Sequence, residues 1–319
     1  MTEYSVPKAV VGHYDTELGL GNLYKLNADW FAGIKAILLG WENVPEHPGG
    51  VHYGYDFNGR NAKEALRKPF FEAFANLGLQ KGKVLDCGCG VGGAMFILAP
   101  LHFRVSFTGV NLSPGQINTA IKRARKAHIK NVHYKVANYL YLPFKPNYFD
   151  GIMGVETFCH IEDKLKPQLF KELYRVLKNG GRIAIFDAFL SGKKPEKMYM
   201  LPQHAQVFRG WTLPDSISTT KLFFDVAKAQ GFKVTKSINM TSRILPWSKE
   251  AKKRVLFAKP IVPLVKKFIE WKKKGIKLPI VSQFGFDNPN VFDFAYTAEF
   301  QYDMFYHGDV EYWEIVLEK

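Results

Sequence analysis

Residues 84–93 combine an apolar strand pattern with an acid and four glycines, and they offer the clearest chemistry in the chain. Asp86 stands where the apolar run ends. Gly88 and Gly90 let the backbone turn sharply and approach a bound ligand without an intervening side chain. The pattern therefore predicts a nucleotide-binding loop between a strand and a helix.

Two ligand classes fit this loop. Gly88, Gly90 and Gly93 also match the dinucleotide pattern, which requires an Asp or Glu about 20 residues further on, but the next strand pattern ends at Asn111. A Pro-Phe loop at 142–144, an Asp-led strand at 148–152 and a Leu-Lys-Asn-Gly-Gly turn at 177–181 then follow in order. Together these four motifs resemble the Rossmann-like methyltransferases that use S-adenosylmethionine.

The elements that must position these residues alternate regularly. Strands are predicted near residues 83, 105, 133, 150 and 182, with helices near 91, 114, 163 and 169. Three later strands are predicted at 233–239, 302–306 and 312–317. The predicted fold class is α/β: a doubly wound sheet with six parallel-type strands and an antiparallel seventh, plus a helical N-terminal segment and cap insertions.

The predicted domain organisation has two parts. Residues 1–79 form a helical N-terminal cap or substrate lid, with helices at about 7–41 and 62–77. Residues 80–319 form the S-adenosylmethionine-binding core, with a basic helical insertion at about 244–300. Within the core we expect a lid or loop at 190–214 and a helix at 216–230.

The resemblance implies a set of cofactor-binding residues at the carboxyl ends of the strands. Asp86 would accept a hydrogen bond from the methionine amino group, Asn111 would bind the ribose hydroxyls, and Asn138 would accept from adenine N6. The alternative for each asparagine is a turn residue that caps the next helix. The full implied set is Asp86, Gly88, Gly90, Asn111, Leu112, Gln116, Asn138, Tyr139 and Val155.

Residues 155–160 narrow the resemblance. Their Glu-x-x-Cys-His run, with Gly-Val-Asn at 109–111, is similar to the sterol 24-C-methyltransferases. His-Tyr-Gly at 52–54 and Leu-Pro-Trp at 245–247 are similar to the geranyl diphosphate C-methyltransferases. Both groups methylate an isolated carbon–carbon double bond. The chain lacks the Tyr-Glu-Tyr-Gly-Trp stretch of the sterol enzymes.

This chemistry assigns three candidate catalytic residues: Glu156, His160 and Tyr53. Alkene methylation leaves a carbocation, which aromatic faces stabilise and a carboxylate or imidazole deprotonates. Glu156 is the predicted base, because a carboxyl in an apolar setting has a raised pKa; the alternative is a helix-start carboxylate. We expect His160 one helical turn on, orienting or replacing Glu156, or serving the structure alone. Further aromatic candidates are Tyr55, Phe158, Phe208, Trp211 and Trp247.

The net charge of +15 favours anionic partners. Residues 249–277 contain eleven Lys or Arg against two Glu. This composition indicates a solvated helix face, a helix that lies on an acidic membrane surface, or a helix that closes over a phosphorylated substrate. Nucleic acid is not expected, because no recognised nucleic-acid module accompanies the charge. A homo-oligomer is compatible with the sequence.

The expected substrate is an isoprenoid, with a prenyl diphosphate preferred over a sterol because of the basic excess and the His-Tyr-Gly run at 52–54. His52 and Tyr53 would bind the diphosphate, close over the cofactor, or only pack the loop. Mg²⁺ is expected only with a diphosphate substrate, and no protein metal motif is predicted. The alternatives are an N- or O-methyltransferase of a small metabolite and a binding protein that has kept the fold. The chain shows no signal peptide or membrane-spanning run, so we expect a cytoplasmic protein. Cys87 and Cys89 are interpreted as small buried turn residues rather than a redox pair.

Overall fold

The computed structural model describes residues 52–192, 207, 217–258 and 299–319. A seven-stranded sheet has the order β3-β2-β1-β4-β5-β7-β6. Its strands are β1 Gly82–Cys87, β2 Val105–Asn111, β3 Val132–Val136, β4 Phe149–Val155, β5 Leu177–Leu190, β6 Lys233–Asn239 and β7 Val310–Glu318.

Strand β7 alone runs against its neighbours. It pairs antiparallel with both β5 and β6, whereas β1 to β5 pair in parallel. Six strands therefore share one direction and the seventh opposes them, which confirms the predicted fold class. The strand order reverses between β1 and β4, and in sheets of this kind ligands bind at such a switch point.

Besides a helical segment at 299–306, six helices are described. They are α1 Ala62–Leu77, α2 Gly93–Leu98, α3 Pro114–Lys126, α4 Lys166–Val176, α5 Thr220–Ala229 and α6 Thr241–Ala258. Single 3₁₀ turns cover Ala99–Leu101, Phe158–His160 and Asp163–Leu165. Gly78 caps the C-terminal end of α1 with a φ of 67°, a backbone conformation that glycine adopts without steric cost. Ser113 caps the N-terminal end of α3, and its side chain accepts a hydrogen bond from the Gln116 amide.

The sheet carries one apolar core on each face. Successive strand residues alternate between the two cores, so Val84 contributes to one and Leu85 to the other. Buried residues of α1, including Phe70 and Phe74, cover the first face. The opposite face is covered by α4 and α5, where Phe170 packs against Phe223 with ring centroids 4.9 Å apart. The two layers hold the carboxyl ends of β1, β2, β4 and β5 at one edge.

One predicted strand is wrong. Residues 302–306 are helical, within a helical segment described from residue 299 to 306. Met304 and Phe305 are buried there while Tyr306 is 61% exposed, which is a helical rather than an alternating pattern. The strand predicted at 312–317 is confirmed within β7, and 233–239 coincides with β6.

Several predictions lie outside the described residues. They include the N-terminal helix at 7–41, most of the lid at 190–214 with Phe208 and Trp211, and residues 259–277 of the basic segment. The two-part domain division therefore stays a prediction. In the part of the chain that is described, no helix is both long and apolar enough to cross a membrane.

Candidate active site

The glycine loop after β1 turns through three left-handed residues. Gly88, Gly90 and Gly92 have φ values of 69°, 54° and 78°, which non-glycine residues rarely adopt. A Cβ at Gly88 would collide with Thr157 Oγ1, and one at Gly92 would lie 2.6 Å from Tyr134 Oη. A Cβ at Gly90 would meet only Gln116 Oε1, at 3.7 Å. The loop therefore packs closely at Gly88 and Gly92 and leaves open space at Gly90.

The end of β2 faces that space. Asn111 Nδ2 donates to Gln116 Oε1 at 2.5 Å, and Asn111 Oδ1 accepts from the Leu112 amide at 2.9 Å. Gln116 is buried and lies in the first turn of α3. These bonds fix the Asn111 amide, yet each of its two polar atoms can form one further hydrogen bond. The arrangement can bind a diol.

Asp86 lies in β1, one residue before the strand ends. Its side chain is buried, and burial raises its pKa to about 7. A buried carboxyl of this kind becomes fully charged when a cation is placed beside it. Cys87 and Cys89, which flank the turn, are free thiols, as predicted. Burial raises the pKa of both, so they are unreactive packing residues.

The loop after β3 holds Asn138 and Tyr139. Asn138 Oδ1 accepts from the Leu140 amide at 2.9 Å, and the Asn138 carbonyl accepts from the Tyr141 amide at 3.0 Å. Asn138 therefore stabilises a turn, as its alternative expected, but the chain continues to β4 without a helix for it to cap. One lone pair of Oδ1 remains for a ligand. Tyr139 Oη donates to the Thr157 carbonyl at 3.1 Å, which ties this loop to the one after β4.

Glu156 directly follows Val155, the last residue of β4. It is a non-glycine residue with a φ of 50°, and strained residues of this kind concentrate at functional sites. The Tyr53 amide and Tyr312 Oη both donate to Glu156 Oε1, each at 2.8 Å. Within the described ranges, Oε2 has no hydrogen-bond partner. Oε1 is therefore held in place while Oε2 is left for a ligand.

The surroundings of Glu156 raise its proton affinity. Burial is the largest effect and raises the pKa of this carboxyl to about 8, assisted by the charge of Asp187 and opposed by the bonds from Tyr53 and Tyr312. A carboxyl with this pKa can take a proton near neutral pH. This is the property that the sequence analysis predicts for a catalytic base.

Aromatic rings pack around the two residues that donate to this carboxyl. Tyr53 packs edge-on against Tyr312 and Phe305, with centroids 5.4 and 5.2 Å apart, and Tyr55 packs edge-on against Tyr312 at 5.9 Å. Tyr53 thus contributes its amide to Glu156 and its ring to this packing. Trp247 packs edge-on against Phe57. Phe158 belongs to the core on the other face of the sheet.

The predicted helical spacing of His160 is wrong. Glu156 is not helical, and only a single 3₁₀ turn covers Phe158–His160, so the one-turn separation of an α-helix does not apply. His160 lies close in sequence on the same loop, and its role stays a prediction. His52 is engaged elsewhere: its Nε2 lies 2.6 Å from the Leu66 carbonyl oxygen, and its ring packs 4.6 Å from Phe70.

Two contributors to the site were not predicted. Tyr312 comes from β7 and reaches Glu156 across 156 residues of sequence. Asp187 lies in β5 and binds the turn that follows Glu156. An acid placed after the apolar run 183–186 is the same kind of signal that identified Asp86 and could have identified Asp187. No group of three His, Cys, Asp or Glu that could hold a metal occurs in the described portion of the chain.

Comparison with known proteins agrees with the resemblance seen in the sequence. Residues 84–181 match the family model described as "Methyltransferase domain". This stretch begins in β1, includes the glycine loop and ends in β5.

Comparison with individual proteins identifies more specific relatives than the family model does. The chain is 31% identical over 197 residues to 24-methylenesterol C-methyltransferase 2 of Arabidopsis thaliana, covering 60% of this chain and 53% of that protein. It thus spans about half the length of the curated relative. Its fold is similar to geranyl diphosphate C-methyltransferase from Streptomyces coelicolor A3(2), solved with Mg²⁺, geranyl diphosphate and S-adenosyl-L-homocysteine (TM-score 0.63, 17% identity, 89% and 97% of the two chains). It is also similar to the mycolic acid cyclopropane synthase CmaA1 (TM-score 0.71, 18% identity, 99% and 100%).

Proposed function

We propose that this protein transfers the methyl group of S-adenosylmethionine to an alkene carbon of an isoprenoid. The observation that carries the proposal is Glu156: a carboxyl with a pKa of about 8, fixed through Oε1, set among aromatic rings at the switch point of the sheet. Transfer to nitrogen or oxygen has no need for a base that collects a proton from carbon.

The described residues fit the cofactor. The open space at Gly90 accommodates a ligand close to the backbone, the Asn111 amide suits the ribose hydroxyls, and the buried carboxyl of Asp86 suits the methionine ammonium. When bound, S-adenosylmethionine supplies an electrophilic methyl group next to a sulfonium charge. Asn138 and Tyr139 would border the adenine.

Glu156 has a defined role in this scheme. Addition of a methyl group to one alkene carbon leaves a cation on the neighbouring carbon. The rings of Tyr53 and Tyr312, whose amide and hydroxyl bind Glu156, stabilise a cation through their ring electrons. Glu156 Oε2 then takes a proton from a carbon next to the cation, and the electrons of that carbon–hydrogen bond form the new double bond. His160 would orient the carboxyl or accept the proton in its place.

Two isoprenoid classes remain candidates. The basic composition supports a prenyl diphosphate, which would require Mg²⁺ supplied with the substrate. The structure engages His52 with Leu66 and Phe70, which weakens the part of that argument based on the His-Tyr-Gly run. The sequence relative supports a sterol instead, since its name describes sterol C-methylation.

A radiochemical panel assay tests the proposal. The protein is incubated with methyl-labelled S-adenosylmethionine and, separately, prenyl diphosphates with and without Mg²⁺, sterols, and small amines and phenols. We expect label in an organic-extractable isoprenoid. Label only in an amine or phenol would refute C-methylation, and cofactor binding without transfer to any acceptor would favour a binding protein. Gly90→Leu provides the control that lacks the cofactor site.

A further inference from the structure

The turn that follows Glu156 is held by a buried carboxylate. Asp187 is 1% exposed, and its Oδ2 accepts hydrogen bonds from the backbone amides of Thr157, Phe158 and Cys159 at 3.3, 2.7 and 3.0 Å. Its Oδ1 accepts from the Ala188 amide at 2.9 Å. Four amide hydrogens thus converge on one side chain.

A buried cation holds the other side of the same turn. Lys166, at the start of α4, is 1% exposed and donates from Nζ to the Phe158 carbonyl at 2.5 Å. Burial lowers the pKa of Lys166, and the charge of Asp187 opposes that effect. Phe158 therefore gives its amide hydrogen to an anion and its carbonyl oxygen to a cation.

This arrangement explains how Glu156 keeps its unusual backbone. A left-handed non-glycine residue is strained and persists only when its surroundings impose it. The Glu156 amide donates to the Phe186 carbonyl at 2.7 Å, and the next three amides are bound by Asp187. The backbone on both sides of the strained Glu156 conformation is thus anchored to Phe186 and Asp187, which are consecutive residues of β5.

We propose that Asp187 is a positioning residue, which fixes the turn that presents Glu156 and also tunes Glu156 through its own negative charge. The inference rests on the proposed role of Glu156 as a base. Asp187 makes its contacts with the turn and with its own strand, so it acts through Glu156 and not on the substrate.

The electrostatic part of the proposal has a definite sign. The groups that face Glu156 and Asp187 from the surrounding elements are Tyr53, Tyr55, Tyr312, Cys159 and Lys166. Of all these groups, Asp187 is the one whose charge raises the pKa of Glu156. Removing that charge while retaining an acceptor oxygen must therefore lower the pKa of Glu156 and make it an active base at lower pH.

The test is the pH profile of kcat for Asp187→Asn, measured with saturating cofactor. For a base that titrates near pH 8, kcat at about pH 6.5 is roughly thirtyfold below its plateau, because each unit below the pKa costs a factor of ten. In Asp187→Asn this loss of kcat should be smaller. The acid limb of the profile, where kcat falls as the pH is lowered, should move to lower pH. The KM for S-adenosylmethionine should not change. A role confined to folding would lower kcat equally at every pH.

Asp150→Asn is the matched control. Asp150 also accepts a backbone amide bond, from Lys83, and pairs with Lys178, but it lies at the start of β4, away from Glu156. Its substitution should leave the limb in place. A folded Asp187→Asn protein with an unmoved limb, or with a limb at higher pH, would overturn the inference.

Two further outcomes distinguish failure of the proposed function from failure of the role proposed for Asp187. A wild-type protein that transfers no methyl group to any isoprenoid would refute the proposed function, independently of Asp187. If Asp187→Asn does not fold, Lys166→Met tests the same electrostatic effect with a side chain of similar size. Loss of the Lys166 cation leaves the charge of Asp187 uncompensated. The acid limb of the kcat profile should therefore move to higher pH. A limb that does not move in a folded Lys166→Met protein would contradict the proposal.

Discussion

Tyr312→Phe removes one of the two hydrogen bonds to Glu156 in the candidate site. The substitution deletes the hydroxyl that donates to Glu156 Oε1 at 2.8 Å, and it retains the ring that packs against Tyr53 and Tyr55. Burial raises the pKa of Tyr312 itself well above its usual value, so the wild-type hydroxyl remains a donor across the whole assay range.

The expected effect follows from the strength of the lost bond. A hydrogen bond to a charged group contributes about 1.5–3 kcal/mol, and one pKa unit corresponds to about 1.4 kcal/mol. Because the bond lowers the pKa of Glu156, its loss should raise that pKa by roughly one to two units. At about pH 7 this reduces the ionised fraction, and therefore kcat, by roughly ten- to a hundredfold.

The assay is the initial rate of methyl transfer to the best acceptor from the panel, between about pH 6 and pH 10, a range that brackets the Glu156 pKa. The variant should approach the wild-type rate only at the alkaline end. Tyr306→Phe is the control, because Tyr306 is 61% exposed on the neighbouring helical segment. A uniform loss of rate at all pH values, or an acid limb at lower pH, would refute this account of Glu156.

Three further predictions concern cofactor binding and stability. Gly90→Leu should abolish S-adenosylmethionine binding, measured by calorimetry. Gly180→Leu is the control and should not, because Gly180 also has a positive φ and open surroundings. Binding near pH 7 should release up to about half a proton from Asp86, whose pKa is about 7, because the ligand ammonium favours the carboxylate; in calorimetry with buffers of different ionisation enthalpy, an unchanged proton count in Asp86→Asn would contradict this. Arg243→Met should lower the free energy of unfolding in urea by about 1–2 kcal/mol at neutral pH, since Arg243 bridges Asp56 and Glu72. The lowered Asp56 pKa of about 2 makes this difference shrink as the pH falls from about 4 to about 2, and a pH-independent difference would contradict the assignment.

The sheet could be predicted because local patterns determine it. Strand β6 and helix α1 have the predicted bounds, since apolar period and flanking turn residues change sharply at their ends. The strand predicted at 302–306 was wrong because that prediction relied on aromatic residues, which favour strands on average. There the burial of Met304 and Phe305 against the core selects a helix, which ends before Gly308 with its φ of 70°.

The candidate site was predictable only in part. Asp86, Asn111 and Glu156 stand at strand ends, and the strand pattern places strand ends at one edge of the sheet. The contact from Tyr312 depends on β7 lying beside β5, a pairing between residues more than a hundred positions apart. Asn138 shows the converse limit: its sequence position suits both a ligand and a turn, and only the bond from Leu140 reveals the turn role.

Product analysis of Glu156→Gln tests the central claim most directly, because the claim concerns a proton and not only a rate. The variant keeps the size of the side chain but loses the base, so kcat should fall by roughly a hundredfold or more, with little change in cofactor affinity. Gas chromatography should then reveal alkene isomers, alcohols or cyclised products absent from the native reaction, formed as the cation loses a different proton or captures water. Wild-type rate with the same single product would contradict the assignment of Glu156 as the base.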